Sequence, residues 1–126
     1  MPGAGRVLLA GDAAGLINPL TGEGIYYALL SGRLAGEAAV ESPDDPLTLY
    51  RGKLRGALGR HLRTTDVLAR LAQFPGFIDA AIETAVRRKE VFDLLVEVGL
   101  GAGTVPGPLA LAVGTRWLRG SLRARR

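Results

Sequence analysis

Asp12 is the residue of this sequence best placed to do chemistry. It follows an unbroken apolar run, Val7-Leu-Leu-Ala10, and comes directly after Gly11. Downstream lie Pro19, then Gly22 and Gly24 on either side of Glu23, then a long helix-forming stretch. Ligands of open α/β sheets bind beyond the carboxyl ends of strands, where a carboxylate accepts hydrogen bonds from the vicinal hydroxyls of a ribose. Gly11 has no Cβ, so the backbone can turn and a ligand can approach closely. Pro19 stiffens the loop. Gly22 and Gly24 leave the first N–H groups of the helix unobstructed, and a helix N-terminus favours an anion. Strand, Gly-Asp corner, Pro-bearing loop and glycine-flanked helix together suit a ligand that carries both phosphate and ribose.

The elements that must position this corner follow from periodicity. Residues 6–10 read as one short strand, and the absence of alternation points to burial on both faces, as in a parallel sheet. No stretch after residue 22 reads as a partner strand, so the chain is expected to be a piece of something larger. Residues 22–40 read as a helix with Thr21 as N-cap and Glu23 favouring the dipole. Its Gly24, Ala28, Gly32 and Gly36 form a ridge of small residues, expected to be closely packed, with Ile25, Leu29 and Leu34 as apolar anchors. Ser42-Pro-Asp-Asp-Pro46 stops that helix and starts the next, with Pro46 near a first helical position. The second helix, about 47–74, carries Tyr50, Leu54, Leu58, Leu62, Leu68 and Leu71 as its apolar stripe. Gly52, Gly56 and Gly59 weaken it, and Arg51, Lys53, Arg55, Arg60 and Arg63 read as a solvated face. After Pro75-Gly76, residues 77–89 form a third helix with Phe77, Ile78, Ala81, Ile82, Ala85 and Val86 inward. Arg87, Arg88 and Lys89 close it where positive charge is favoured. Residues 91–98 make a short fourth helix. Residues 108–123 make a fifth, with Leu109, Val113, Trp117 and Leu122 on one side and Arg116, Arg119 and Arg123 on the other. The fold class expected is mostly α, one short N-terminal strand followed by about five helices.

Composition narrows the function. The chain has 126 residues, 48% of them hydrophobic, and a mean hydropathy of +0.20, enough for one modest core and unlike a disordered chain. Residues 1–100 hold eleven basic and all twelve acidic residues, a net of −1. The remaining 26 carry Arg116, Arg119, Arg123, Arg125 and Arg126 with no acid. The positive charge is thus a property of one end, which argues against a nucleic-acid binder. There is no cysteine, which excludes disulfides and thiolate sites and fits a reducing, cytoplasmic compartment. His61 is the single histidine, so no multi-His metal site is expected. Val98 to Thr115 is uncharged, but Pro106, Pro108 and several glycines interrupt it, and no spanning helix is expected. Gly11, Asp12 and Gly15 likewise rule out a signal-peptide core.

The run Gly11-Asp12-Ala13-Ala14-Gly15-Leu16-Ile17-Asn18-Pro19-Leu20-Thr21-Gly22-Glu23-Gly24-Ile25 closely resembles the second flavin-binding segment of FAD-dependent oxidoreductases of the para-hydroxybenzoate hydroxylase-like class. With Tyr26-Tyr27-Ala28 and Ser31-Gly32 it looks most like the geranylgeranyl reductase family. The strong part of the resemblance covers residues 6–40, and a weaker part reaches residue 104. It implies the C-terminal portion of a Rossmann-type FAD-binding α/β fold, with residues 1–41 as the second flavin-binding segment and 42–126 as a C-terminal helical region of one incomplete domain. It implies FAD as cofactor. Asp12 would bind a ribityl or ribose hydroxyl, and Gly11 and Ala13 would lie along the pyrophosphate. Pro19 and the backbone of Gly22, Gly24 and Ile25 would face the flavin ring. Family members reduce C=C bonds of prenyl chains or prenyl lipids. The flavin does the redox step, so no catalytic side chain is assigned.

The family's Gly-x-Gly-x-x-Gly fingerprint is absent, and so is the region that covers the prenyl substrate. The chain alone is therefore expected neither to hold FAD tightly nor to turn over, and an N-terminal partner chain is an expected complement. Two other readings remain: a fragment of a flavin monooxygenase or halogenase, which shares the Gly-Asp segment, and a non-enzymatic helical interaction module. Residues 108–126 read as a solubilising basic tail or as a peripheral contact with an anionic membrane.

Overall fold

The computed structural model of the chain describes residues 2–123, with side chains through Arg119. It is mostly helical. Two strands, β1 (Gly3–Ala4) and β2 (Val7–Leu8), pair antiparallel at the start, with Gly3 opposite Leu8 and Ala4 opposite Val7. Five helices follow: α1 (Ile25–Glu41), α2 (Pro46–Leu71), α3 (Phe77–Arg87), α4 (Lys89–Leu100) and α5 (Gly107–Arg123). A single 3-10 turn, Gly11–Ala14, stands between β2 and α1.

The hairpin corrects the expectation of one doubly buried strand. Residues 3 and 4 are the partner that the apolar run 7–10 lacked. Gly5 reverses the chain at φ +56, a left-handed conformation that glycine adopts at no steric cost. Val7 is 62% exposed, so β2 is an edge and not the middle of a sheet. Strands this short are marginal alone. Tertiary bonds hold them: Leu9 N–H donates to Pro2 O (2.9 Å), Tyr50 Oη–H to Leu9 O (2.8 Å) and Arg51 to Gly3 O (3.3 Å).

The main core lies between α1 and α2. Tyr27, Leu34 and Ala38 of α1 meet Tyr50, Leu54 and Leu58 of α2, with Leu8, Leu16, Leu30 and Leu62 packed around them. The turn that folds α2 back is set by Asp45, whose Oδ1 accepts the Thr48 N–H (3.2 Å) ahead of Pro46 at the first turn. α2 runs unbroken through Gly52, Gly56 and Gly59. Its basic residues divide: Lys53 reaches across to Glu37 (3.1 Å) and Glu41 (2.9 Å) of α1, while Arg55, Arg60 and Arg63 are exposed as a solvated face.

The small-residue ridge of α1 is packed only at its start. Gly24 and Ala28 lie against the corner, but a Cβ on Gly32 or Gly36 would meet nothing within 4 Å. Ile25 and Leu29, expected as anchors, are 75% and 73% exposed. Only Leu34 is buried, because α2 covers the opposite face of α1.

α3 packs on α4 and on α5. The break between α3 and α4 is one residue, Arg88, with extended backbone. Lys89 therefore opens α4 and pairs with Asp93 (2.6 Å); it does not close α3. The inward face of α3 is also rotated from the one expected. Phe77, Ala80, Ala81 and Thr84 are buried, while Ile78, Ile82 and Val86 are exposed. The small residues win that face because they let two helices approach closely. Trp117 of α5 lies edge-on to Phe77 (5.8 Å between ring centroids) and tilted against Phe74 (6.0 Å). Its Nε1–H donates to Pro75 O (3.0 Å). Leu109, Val113 and Trp117 are half-buried as expected; the side chains of Leu122 and Arg123 lie outside the described residues. No helix among the described residues is long and apolar enough to cross a membrane.

Candidate functional site

The Gly-Asp corner is built from backbone constraints. Ala10 is extended, Gly11 turns at φ +53, and Gly15 ends the 3-10 turn in the left-handed region at φ +70. Gly15 N–H closes the turn on Asp12 O (2.9 Å), and Leu16 N–H on Gly11 O (3.0 Å). Gly11 is buried against α1: a Cβ there would stand 3.0 Å from the Cβ of Ala28. Its N–H donates to Ser31 Oγ (2.8 Å), which in turn donates to Tyr27 O (2.5 Å). One hydroxyl on α1 therefore fixes the corner, because an unpaired buried N–H is costly.

Asp12 is exposed, and its carboxylate takes no hydrogen bond or ion pair among the described residues. A Cβ on Gly24 would come within 3.0 Å of Asp12 Oδ1, so the carboxylate uses the space that Gly24 leaves open. The structure thus brings Gly11, Asp12 and Gly24 together at the start of α1. Ala13 is exposed beside them; Pro19, Gly22 and Ile25 are exposed along the following loop and first helical turn.

Asn18 organises that loop and is one of two residues, with His61, whose roles the sequence did not disclose. It is buried. Its Nδ2 donates to Val98 O (2.8 Å), and its Oδ1 accepts Leu20 N–H (2.9 Å). Its backbone N–H donates to Glu23 O, and its carbonyl accepts Gly22 N–H, both at 2.8 Å. Thr21 does not cap α1; its hydroxyl donates to Gly99 O (2.9 Å). Capping passes to Glu23, whose Oε1 accepts Tyr26 N–H (3.0 Å). Glu23 Oε2 is buried with no donor among the described residues. Pro19 marked a stiffened loop in the sequence, but nothing local disclosed that the loop would be tied to α4, eighty residues away.

Behind the loop lies a second network. His61 is buried on α2; its Nδ1 bonds Gly103 O (2.6 Å) and its Nε2 meets Tyr27 Oη (2.5 Å). A carbonyl only accepts, so Nδ1 carries a proton, and in the neutral ring Nε2 accepts the Tyr27 hydroxyl proton. Burial pushes the Tyr27 and Tyr50 hydroxyls above the ordinary tyrosine pKa of 10.0. His61 therefore clasps α1 and the segment after α4.

The corner thus presents an exposed carboxylate, a glycine cradle that a Cβ would fill, and the start of α1.

Several known proteins that this chain resembles are reductases, and the homology is partial. The chain shares homology with geranylgeranyl reductases and with a menaquinone reductase. It is 36% identical to the menaquinone reductase of Mycobacterium tuberculosis over 91 residues, 72% of this chain and 22% of that protein. It is 56% identical over 39 residues to digeranylgeranylglycerophospholipid reductase 1 of Methanopyrus kandleri, 31% of this chain and 10% of that protein. With the chloroplastic geranylgeranyl diphosphate reductase of Arabidopsis thaliana it shares 45% identity over 60 residues, 47% of this chain and 13% of that protein. The chain thus matches about a fifth or less of these relatives. No family model and no solved structure matches it.

Proposed function

We propose that this chain is the flavin-ring side of an FAD-dependent reductase of prenyl C=C bonds, a fragment or subunit that is inactive alone. The observation that carries the reading is the Asp12 carboxylate, without a partner among the described residues, beside Gly24 at the start of α1, in a chain that shares partial homology with geranylgeranyl and menaquinone reductases. When bound, FAD supplies the redox chemistry. Asp12 accepts hydrogen bonds from ribityl or ribose hydroxyls. Gly11 and Ala13 keep the backbone low along the pyrophosphate. Pro19, Gly22, Gly24 and Ile25 face the ring, and the dipole of α1 stabilises negative charge on the N1–C2=O side of the reduced flavin. In this reading residues 1–41 are the second flavin-binding segment of a Rossmann-type fold and 42–126 its helical support. The bare face of α1, with Ile25, Leu29, Gly32 and Gly36, is where the complementing part would pack.

Fluorescence titration of FAD tests this. The chain alone is expected to leave FAD fluorescence unchanged at micromolar concentrations. Joined to a Gly-x-Gly-x-x-Gly segment encoded upstream, it is expected to bind FAD, and Asp12→Ala to weaken that binding at least tenfold. A yellow, reducible chain on its own would overturn the fragment reading. A joined protein blind to FAD would overturn the flavin reading.

A further inference from the structure

An open groove of about 940 Å³ runs between α3 and α5, away from the Gly-Asp corner. Four arginines line it: Arg87 and Arg88 at the end of α3, Arg116 and Arg119 on α5. Glu83 is its one acidic lining residue and is taken by Arg116 (2.6 Å). Arg87, Arg88 and Arg119 form no ion pair among the described residues. Arg87 and Arg88 also lie at the helix end where cations are favoured. Beside the guanidinium groups, α5 presents apolar side chains to solvent: Leu111, itself part of the groove, is 69% exposed, and Leu118, next to Arg119, is 58% exposed.

We infer that this groove docks on the phosphate head groups of an anionic lipid surface. Charge complementarity selects a polyanion. The exposed leucines select a lipid surface over a nucleic acid, because the lining holds no aromatic ring on which a base could stack. Arginine on a helix whose leucines face outward is the arrangement of a helix lying in a membrane interface, with the guanidinium groups reaching up to phosphate. From sequence, residues 108–126 read as a solubilising basic tail or as such a contact. The inferred contact takes in α3 as well and leaves out Arg116, since Glu83 already neutralises that residue. The inference stands independently of the flavin reading.

Co-sedimentation of the chain with vesicles tests it. Vesicles of phosphatidylcholine with phosphatidylglycerol are expected to bind the chain at low salt and to release it as salt rises. Pure phosphatidylcholine vesicles are expected to leave it in solution. Changing Arg87→Gln, Arg88→Gln and Arg119→Gln together is expected to weaken binding about 100-fold. The matched triple change of Arg55, Arg60 and Arg63 to Gln on α2 removes the same charge and is expected to cost far less. Leu111→Ser with Leu118→Ser is expected to weaken binding without changing its salt dependence. Circular dichroism checks that each variant keeps its helices. Equal losses in the two arginine triples, equal binding to uncharged vesicles, or full displacement by inorganic phosphate overturns the inference.

Discussion

The α1–α2 half and the α3–α5 half of this molecule are held by different kinds of contact. Between α1 and α2 the apolar core is threaded by buried polar groups, each with a specific partner: Ser31 to Gly11, Tyr50 to Leu9, and His61 to Tyr27 and Gly103. Asn18 ties the same region to the end of α4. Between α5 and α3 with the turn before it the contacts are small residues, Phe74, Phe77 and Trp117, with one exposed ion pair and one exposed hydrogen bond from Trp117 to Pro75 O. Buried hydrogen-bonded networks tolerate few alternative geometries, because a half-satisfied one is costly. Apolar packing tolerates many. The corner that carries Asp12 is therefore mounted on the part of the molecule with one permitted arrangement, while the arginine groove sits on the more forgiving part.

The sharpest way to break this comparison is at Gly11. A valine there must adopt φ +53 and place its Cβ 3.0 Å from that of Ala28. We expect Gly11→Val to lose about 3 kcal/mol or more, read as a lower urea midpoint. Gly32→Ala, on the same ridge but with nothing within 4 Å, is expected to gain about 1 kcal/mol. Equal effects at the two glycines would mean that the corner does not rest on α1 as described. Next comes Trp117→Ala, expected to cost about 2 kcal/mol, since the side chain is only half-buried. Hydrogen exchange should show that loss confined to α3 and α5, with the amides of α1 unchanged.

Tyr27→Phe probes the network itself. It removes the hydroxyl that His61 Nε2 accepts and is expected to cost about 1–2 kcal/mol. It also carries a pH signature. Burial raises the Tyr27 pKa above the ordinary 10.0, so the folded chain holds that proton more tightly than the unfolded chain. The stability this represents is complete below pH 10 and is lost as pH rises through the folded-state pKa. Wild type should therefore lose stability in the alkaline range more steeply than Tyr27→Phe. Tyr50 shares the same direction, so the slope is reduced in the variant and not abolished.

The sequence disclosed what depends on neighbours a few residues apart. All five helices lie within a few residues of where the period put them, and Pro46 and Pro75-Gly76 mark real boundaries, while the expected Thr21 cap and Lys89 end do not hold. What it concealed depends on contacts far along the chain. Whether Ile25 and Leu29 are anchors or exposed is decided by which face α2 covers, and the 3.6-residue period of α1 is silent on that. The hairpin escaped because its strands are two residues each, too short for alternation to register. Of the candidate site, the Gly-Asp corner and its glycines were legible from residue type, because φ > 0 and close approach demand glycine. The roles of Asn18 and His61 were not, because their partners lie far along the chain: the backbone carbonyls of Val98 and Gly103, which any residue has, and the Tyr27 hydroxyl, 34 residues from His61.

The smallest expected effect tests the other side of the comparison. Arg116 pairs with Glu83 through two contacts, Nε at 2.7 Å and Nη2 at 2.6 Å. The Glu83 side chain is 60% exposed and that of Arg116 34%. Exposed pairs of this kind are worth about 0.5 kcal/mol or less, so Arg116→Gln should barely move the thermal midpoint. Its consequence lies in the groove. Glu83 would then stand unneutralised among Arg87, Arg88 and Arg119, and would draw one of them toward itself. Vesicle binding is accordingly expected to fall while stability holds. If stability fell as much as in Tyr27→Phe, the α3–α5 half would depend on its polar link as strictly as α1–α2 does, and the contrast between the halves would be lost.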